Sequence, residues 1–203
     1  MAKPINYTFY LCLLVIGVSA LWEEIAGPYD VSLSHMTHCD KRGPVSFLEP
    51  LKARKLNRTH LVCSGIFTVA VDLDKNVKFK IVAANKGTNG RYNNVVDIEL
   101  EACDFIYNFG RNIVKSIDKH CNITYECPHK KFTCEMKNWV VNYDFVNVPA
   151  LPYGEYRLDG SLLKLDQYNR RELISCARFY GFVTPKKPQF QKKTSSRNNT
   201  KTY

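Results

Sequence analysis

The sequence predicts a mainly β domain, a sandwich or barrel of antiparallel strands with one helix inserted, and three observations predict it. Segment after segment alternates apolar and polar residues with a period of two, the mark of a strand with one face turned inward. Turn chemistry separates these segments, as at Asp74-Lys75-Asn76 and Asn89-Gly90. One stretch, FIYNFGRNIVKSIDK, repeats its apolar residues every four positions instead.

In chain order, residues 29–39 and 45–53 are weak strand candidates. The run LVCSGIFTVAVDL puts Leu61, Cys63, Gly65, Phe67, Val69, Val71 and Leu73 on one side. After the turn, Val77, Phe79, Ile81 and Ala83 point inward while Lys78 and Lys80 point out, which completes a hairpin. From Tyr92 to Ala102, Tyr92, Val96, Ile98 and Leu100 oppose Asp97, Glu99 and Glu101. The helical stripe follows: Phe105, Phe109, Ile113 and Ile117, flanked by Ile106 and Val114 and weakened by Gly110. Further strands are expected over 139–145 (Trp139, Val141, Tyr143 and Phe145 on one side), 155–165 and 172–183. Alternation reports burial, so these inward residues form either a solid core or the wall of a cavity.

The first residues, MAKPINYTFYLCLLVIGVSALWEE, have the anatomy of a secretory signal peptide over 1–20. Lys3 is its positive end, an apolar run follows, and Val18-Ser19-Ala20 supplies the small residues before cleavage. Glu23 and Glu24 end the run short of the roughly 20 apolar residues that a span needs. The expected localisation is extracellular. Of eight cysteines, Cys12 leaves with the leader, and the others read as a disulfide framework suited to an oxidising compartment. No tight cysteine pair of the zinc or redox kind occurs, and His35, His38 and His120 are isolated, so no metal is expected. Asn57, Asn122 and Asn198 head N-glycosylation sequons. CNITYECP (121–128) thus reads as a glycosylatable surface loop held by disulfides. Seven mature cysteines leave one thiol over, and spacing alone does not choose the pairs.

The net charge of +10 is unevenly placed. Six basic residues and no acid lie in the last twenty, TPKKPQFQKKTSSRNNTKTY. The remaining body has an ordinary balance, which argues against a nucleic-acid partner. Residues 184–203 are expected to be a disordered basic tail able to touch anionic membrane surfaces, and 21–183 a single disulfide-bonded domain. No G-x-S-x-G elbow, H-E-x-x-H pair or phosphate loop appears, and carboxylates are scattered over polar strand faces. Neither catalysis nor a cofactor is expected.

Several short motifs carry a resemblance. Glu101-Ala102-Cys103 closes a strand, Cys127-Pro128 follows the helix, and Leu151-Pro152 precedes Gly154 and Tyr156. In this order and spacing, over roughly 75–165, the chain resembles the secreted insect chemosensory-B proteins of gustatory organs. That family is distantly similar to lipid-recognition domains of the ganglioside activator type. The resemblance implies an immunoglobulin-like sandwich whose sheets part to hold an acyl chain or sterol. It also implies Cys103–Cys127 and Cys39–Cys176 as disulfides, with Cys121–Cys134 remaining nearby and Cys63 as a buried free thiol.

The resulting expectation is a secreted binding protein for a hydrophobic small molecule, a lipid or cuticular hydrocarbon serving pheromone or taste detection. Candidate cavity walls are Phe67, Val69, Phe79, Ile81, Ile98, Leu100, Trp139, Tyr143 and Phe145. The rival expectation is an extracellular interaction module with a solid core, acting as cofactor of a receptor or channel.

Overall fold

A computed structural model describes residues 26–186 apart from 58–59, 125, 142–146 and 149. Residues 1–25, which include the expected leader, and Tyr143, Phe145, Asn198 and the rest of the chain from 187 onward lie outside the described residues. The elements are β1 (Ala26–Gly27), β2 (Tyr29–His38), β3 (Leu48–Lys55), β4 (Leu61–Val69), β5 (Val77–Lys86) and β6 (Tyr92–Glu101). Then come α1 (Ala102–Phe105), a π-helical stretch (Ile106–Gly110) and α2 (Arg111–Cys121). The chain finishes with β7 (Phe132–Val140), β8 (Leu151–Pro152), β9 (Gly154–Leu165) and β10 (Arg171–Pro185).

The strands build a sandwich of antiparallel sheets. One sheet has five strands in the order β2-β10-β9-β5-β6, the other three in the order β3-β4-β7, and β1 pairs with β8 in a separate ribbon. Adjacent strands lie about 4.8 Å apart, so the five-stranded sheet is wider than its partner by roughly 10 Å. A helix is about 10 Å across, and α1–α2, running from the end of β6 to the approach of β7, supplies the missing cover. The helix is therefore part of the packing and does not hang off a finished sandwich.

The turns follow their residues. Asp74 Oδ1 accepts from the Asn76 amide at 2.8 Å and the Asp74 carbonyl from the Val77 amide at 3.0 Å, closing the β4–β5 connection. Gly90 has φ +76°, a conformation L side chains rarely adopt. In β4, Gly65 has φ +151°, and a Cβ there would sit 2.6 Å from the Pro50 carbonyl oxygen. The registers of β4 with β3 and with β7 both shift around this point, so the glycine permits a bulge in the middle strand.

Some boundaries differ from the sequence reading. β4 stops at Val69, and Leu73 continues inward through a bridge to His129 rather than through a strand. The strand expected from 139 begins at Phe132, with Phe132, Cys134 and Met136 on its inner side. β10 runs past the expected boundary at 183: Thr184 pairs with Asp30 and Pro185 with Tyr29, and the Lys186 amide donates to the Pro28 carbonyl at 3.0 Å. Antiparallel neighbours satisfy those backbone groups, which costs less than leaving a frayed end beside β2.

Three disulfides close the domain. Cys39–Cys176 joins the end of β2 to β10, Cys103–Cys127 ties α1 to the loop beyond α2, and Cys121–Cys134 fastens the end of α2 to β7. The first two are the pairs the resemblance implied, and the third is the pair that remained nearby. Cys63 is a buried free thiol. Among the described residues no helix is long and apolar enough to cross a membrane.

Candidate ligand site between the sheets

The register decides which side chains meet. Phe79 pairs with Leu100 and Leu162, and Ile81 with Ile98 and Gly160, so all lie on the inner face of the five-stranded sheet. From the other sheet, Phe67 and Val69 lie opposite Cys134 and Phe132. Gly160 brings no side chain, and the Ile81 Cδ1 and Phe79 ring atoms lie 3.5–3.8 Å from where its Cβ would be. Both side chains therefore pack over the position that a Gly160 side chain would take.

Phenylalanines form a belt around this interior. Phe79 stacks on Phe105 with centroids 4.6 Å apart, and Phe105 meets Phe109 at 5.8 Å. Phe47 bridges the sheets, 6.4 Å from both Phe79 and Phe67, and Phe67 reaches Phe132 at 5.9 Å. Ring pairs at these separations are favourable beyond their buried area. The π-helical stretch between α1 and α2 follows Phe105 and contains Phe109 of the belt, and such bulges are frequent at functional sites.

The wall candidates separate by environment. Phe67, Phe79, Ile81, Ile98 and Leu100 are only half-buried although they face the other layer. Phe47, Phe109, Val114 and Phe132 share that state and pack on the same cluster. Val69 is buried in that cluster beside Val77, Phe105 and Leu162. Trp139 belongs elsewhere: it is buried with Leu61, Cys63, Met136 and Ile117 and donates its indole N–H to Ser116 Oγ at 3.0 Å. It anchors α2 to β7, and Phe67 and Phe132 pack against its cluster as well as against the first. Tyr143 and Phe145 fall outside the described residues.

One end of the sandwich is closed by a third cluster around Ala83, Tyr156 and Val183, packed by Tyr29, Leu151 and Tyr153. Tyr156 donates its hydroxyl to the Pro152 carbonyl at 2.8 Å, which fixes the β8–β9 corner. The outer face of the five-stranded sheet carries a cluster of charged groups. There Arg178 grips Asp159 through two bonds of 2.7 and 2.9 Å and reaches Asp40 at 3.1 Å. That arginine holds the Asp40 carboxyl below its ordinary pKa by hydrogen bonding and charge.

A feature absent from the sequence reading lies on the flank of the helix. A cleft of about 640 Å³ is bordered by Ile106, Val114 and Ile123, with Arg111, Lys115 and Asp118 among its polar lining. Tyr107, Arg111 and Lys115 follow one another at helical spacing, a pattern that reads equally as a solvated face. Asp118 is buried, and desolvation pushes its carboxyl pKa up, opposed by the nearby charge of His129. Asn122, head of a sequon, is exposed in the left-handed conformation that caps α2. Asn57 is likewise exposed, its Oδ1 accepting from the His60 amide at 2.8 Å.

Among the described residues no group of three or more His, Cys, Asp or Glu side chains could hold a metal ion. Compared with known proteins, residues 77–158 match a family model described as a protein of unknown function, DUF1091. The matched span runs from β5 into β9 and includes all three motifs singled out above. No curated protein matches the chain.

Proposed function

We propose that the protein is a secreted carrier for a hydrophobic small molecule, held between the sheets against the phenylalanine belt. The observation that carries this reading is the half-buried state of inward apolar side chains at the middle of the sandwich. Apolar surface left accessible inside a fold is unfavourable by roughly 25 cal/mol per Å². A core selected only for stability would close over it. A ligand that covers it recovers that free energy on binding, and it needs few polar contacts to do so. Lipids and long-chain hydrocarbons fit such a lining. The resemblance to chemosensory-B proteins supplies the setting, in which a lipid or cuticular hydrocarbon acts as a pheromone or taste cue in the extracellular space.

The test is displacement of N-phenyl-1-naphthylamine from the purified protein by lipids, run beside Ile81→Trp. Ile81 is half-buried on the inner face and packs over Gly160, so on the carrier reading an indole there should occupy ligand space. Secretion and melting temperature should stay near the wild-type values, while dye binding falls at least tenfold. Val69→Trp is the contrast, because Val69 is buried in packed surroundings and overpacking costs roughly 1–3 kcal/mol. If Ile81→Trp is destabilised as much as Val69→Trp, and the dye never binds, the interior is solid. The interaction-module reading then replaces the carrier.

A further inference from the structure

We infer that the cleft on the flank of α2 is the head-group end of the interior site, and that the ligand is a long-chain fatty acid. Its carboxylate would lie between Arg111 and Lys115, and its chain would run inward past Ile106 and Val114. This rests on the carrier reading above and adds the ligand's chemical class and orientation.

The cleft and the interior share walls. Ile106 and Val114 border the cleft, and the same two residues pack in the cluster that contains Phe79, Phe105 and Leu100. Ile106 and Val114 therefore stand between the phenylalanine belt and the cleft, and a chain threading past them would meet the cleft next. It is an open cleft of about 640 Å³ rather than an enclosed cavity, so it would hold a head group at the surface.

The polar lining fits one negative charge. Arg111 and Lys115 are one helical turn apart, and neither makes an ion pair with any described residue. Other basic side chains of the domain are already engaged by carboxylates, among them Lys78, Lys80, Lys86, Arg157, Arg171 and Arg178. The Arg111 guanidinium lies 4.5 Å from the centroid of the Tyr107 ring, which steadies its plane, and its N–H groups have the geometry to fork onto a carboxylate. Asp118 sets the limit on charge: two cations and one acid leave room for a singly charged head, whereas a phosphate dianion would face the Asp118 carboxyl.

The experiment is competition against N-phenyl-1-naphthylamine with oleate, oleyl alcohol and oleoyl lysophosphatidate, using the full secreted chain and its R111Q/K115Q variant. Both substituted residues are exposed, so folding should be unaffected, and circular dichroism checks it. Oleate should bind about tenfold or more tighter than oleyl alcohol, the size expected of charge-assisted hydrogen bonds. The double variant should bring oleate down to the alcohol's affinity and leave the alcohol unchanged. Equal affinities for oleate and alcohol, or a ratio the variant does not alter, would overturn the head-group assignment while leaving the carrier reading intact. Lysophosphatidate binding tighter than oleate would overturn the assignment to a carboxylate. Displacement by none of the three would sink the carrier reading itself.

Discussion

Cys63 lies in the core cluster around Trp139 and Asp118 beside the flank cleft, yet burial acts on both in the same direction, because each would carry its charge in a medium that solvates it poorly. Desolvation pushes the Cys63 thiol up to about 11. The thiol should therefore resist a disulfide reagent in the folded protein and react, one equivalent per chain, in guanidinium; rapid reaction without denaturant would contradict the assignment. For Asp118, whose ordinary value is 3.8, the folded pKa is raised. The protonated form thus favours the fold: its stabilising contribution is complete below the ordinary pKa and is lost as pH rises through the folded one. Asp118→Asn should accordingly raise the melting temperature at pH 7, with the gain vanishing near pH 3. A lower melting temperature at pH 7 would mean that the His129 charge outweighs desolvation. An odd cysteine count announced a spare thiol, but composition could not say which one it was. Asp118 lay on the helical stripe with nothing to mark it as buried. The Arg178–Asp159–Asp40 cluster was invisible for a simpler reason: its members are up to 138 residues apart, and only strand register brings them together.

At the scale of elements, period-two alternation placed β4, β5, β6, β9 and β10 because each has one apolar and one polar face. It missed the first part of β7. Phe132, Cys134 and Met136 do alternate with Thr133, Glu135 and Lys137, but the run is short and its cysteine reads first as a loop staple. The helix was legible from its four-residue repeat, whereas the π-helical stretch was not, since a repeat of four suits either winding. What seats this helix is Trp139. Trp139→Phe keeps most of the buried ring and loses the bond to Ser116, so it should cost about 1 kcal/mol, with Trp139→Ala costing about 3–5 kcal/mol. Denaturant unfolding of both, together with Ser116→Ala, checks the account. If Trp139→Phe and Ser116→Ala add independently in the double variant, the indole bond is not what couples α2 to β7.

For the whole molecule, the alternating runs were enough to call a sandwich or barrel, and the sheet order was not, because β2 beside β10 and β5 beside β9 are long-range pairings that no local pattern encodes. The disulfide between Cys39 and Cys176 spans 137 residues, so it removes a long loop's worth of entropy from the unfolded chain. Replacing both with serine should cost about 4–5 kcal/mol by that argument, read from denaturant midpoints. The wall candidates were legible as inward residues, but whether they enclose space depends on how two sheets of unequal width and a helix close on one another. That geometry is the central claim, and native mass spectrometry addresses it directly. Wild-type protein incubated with oleate should carry one bound chain, and Ile81→Trp, equally folded, should carry none. The absence of any adduct on wild type, or the same adduct on both proteins, would contradict a ligand held between the sheets.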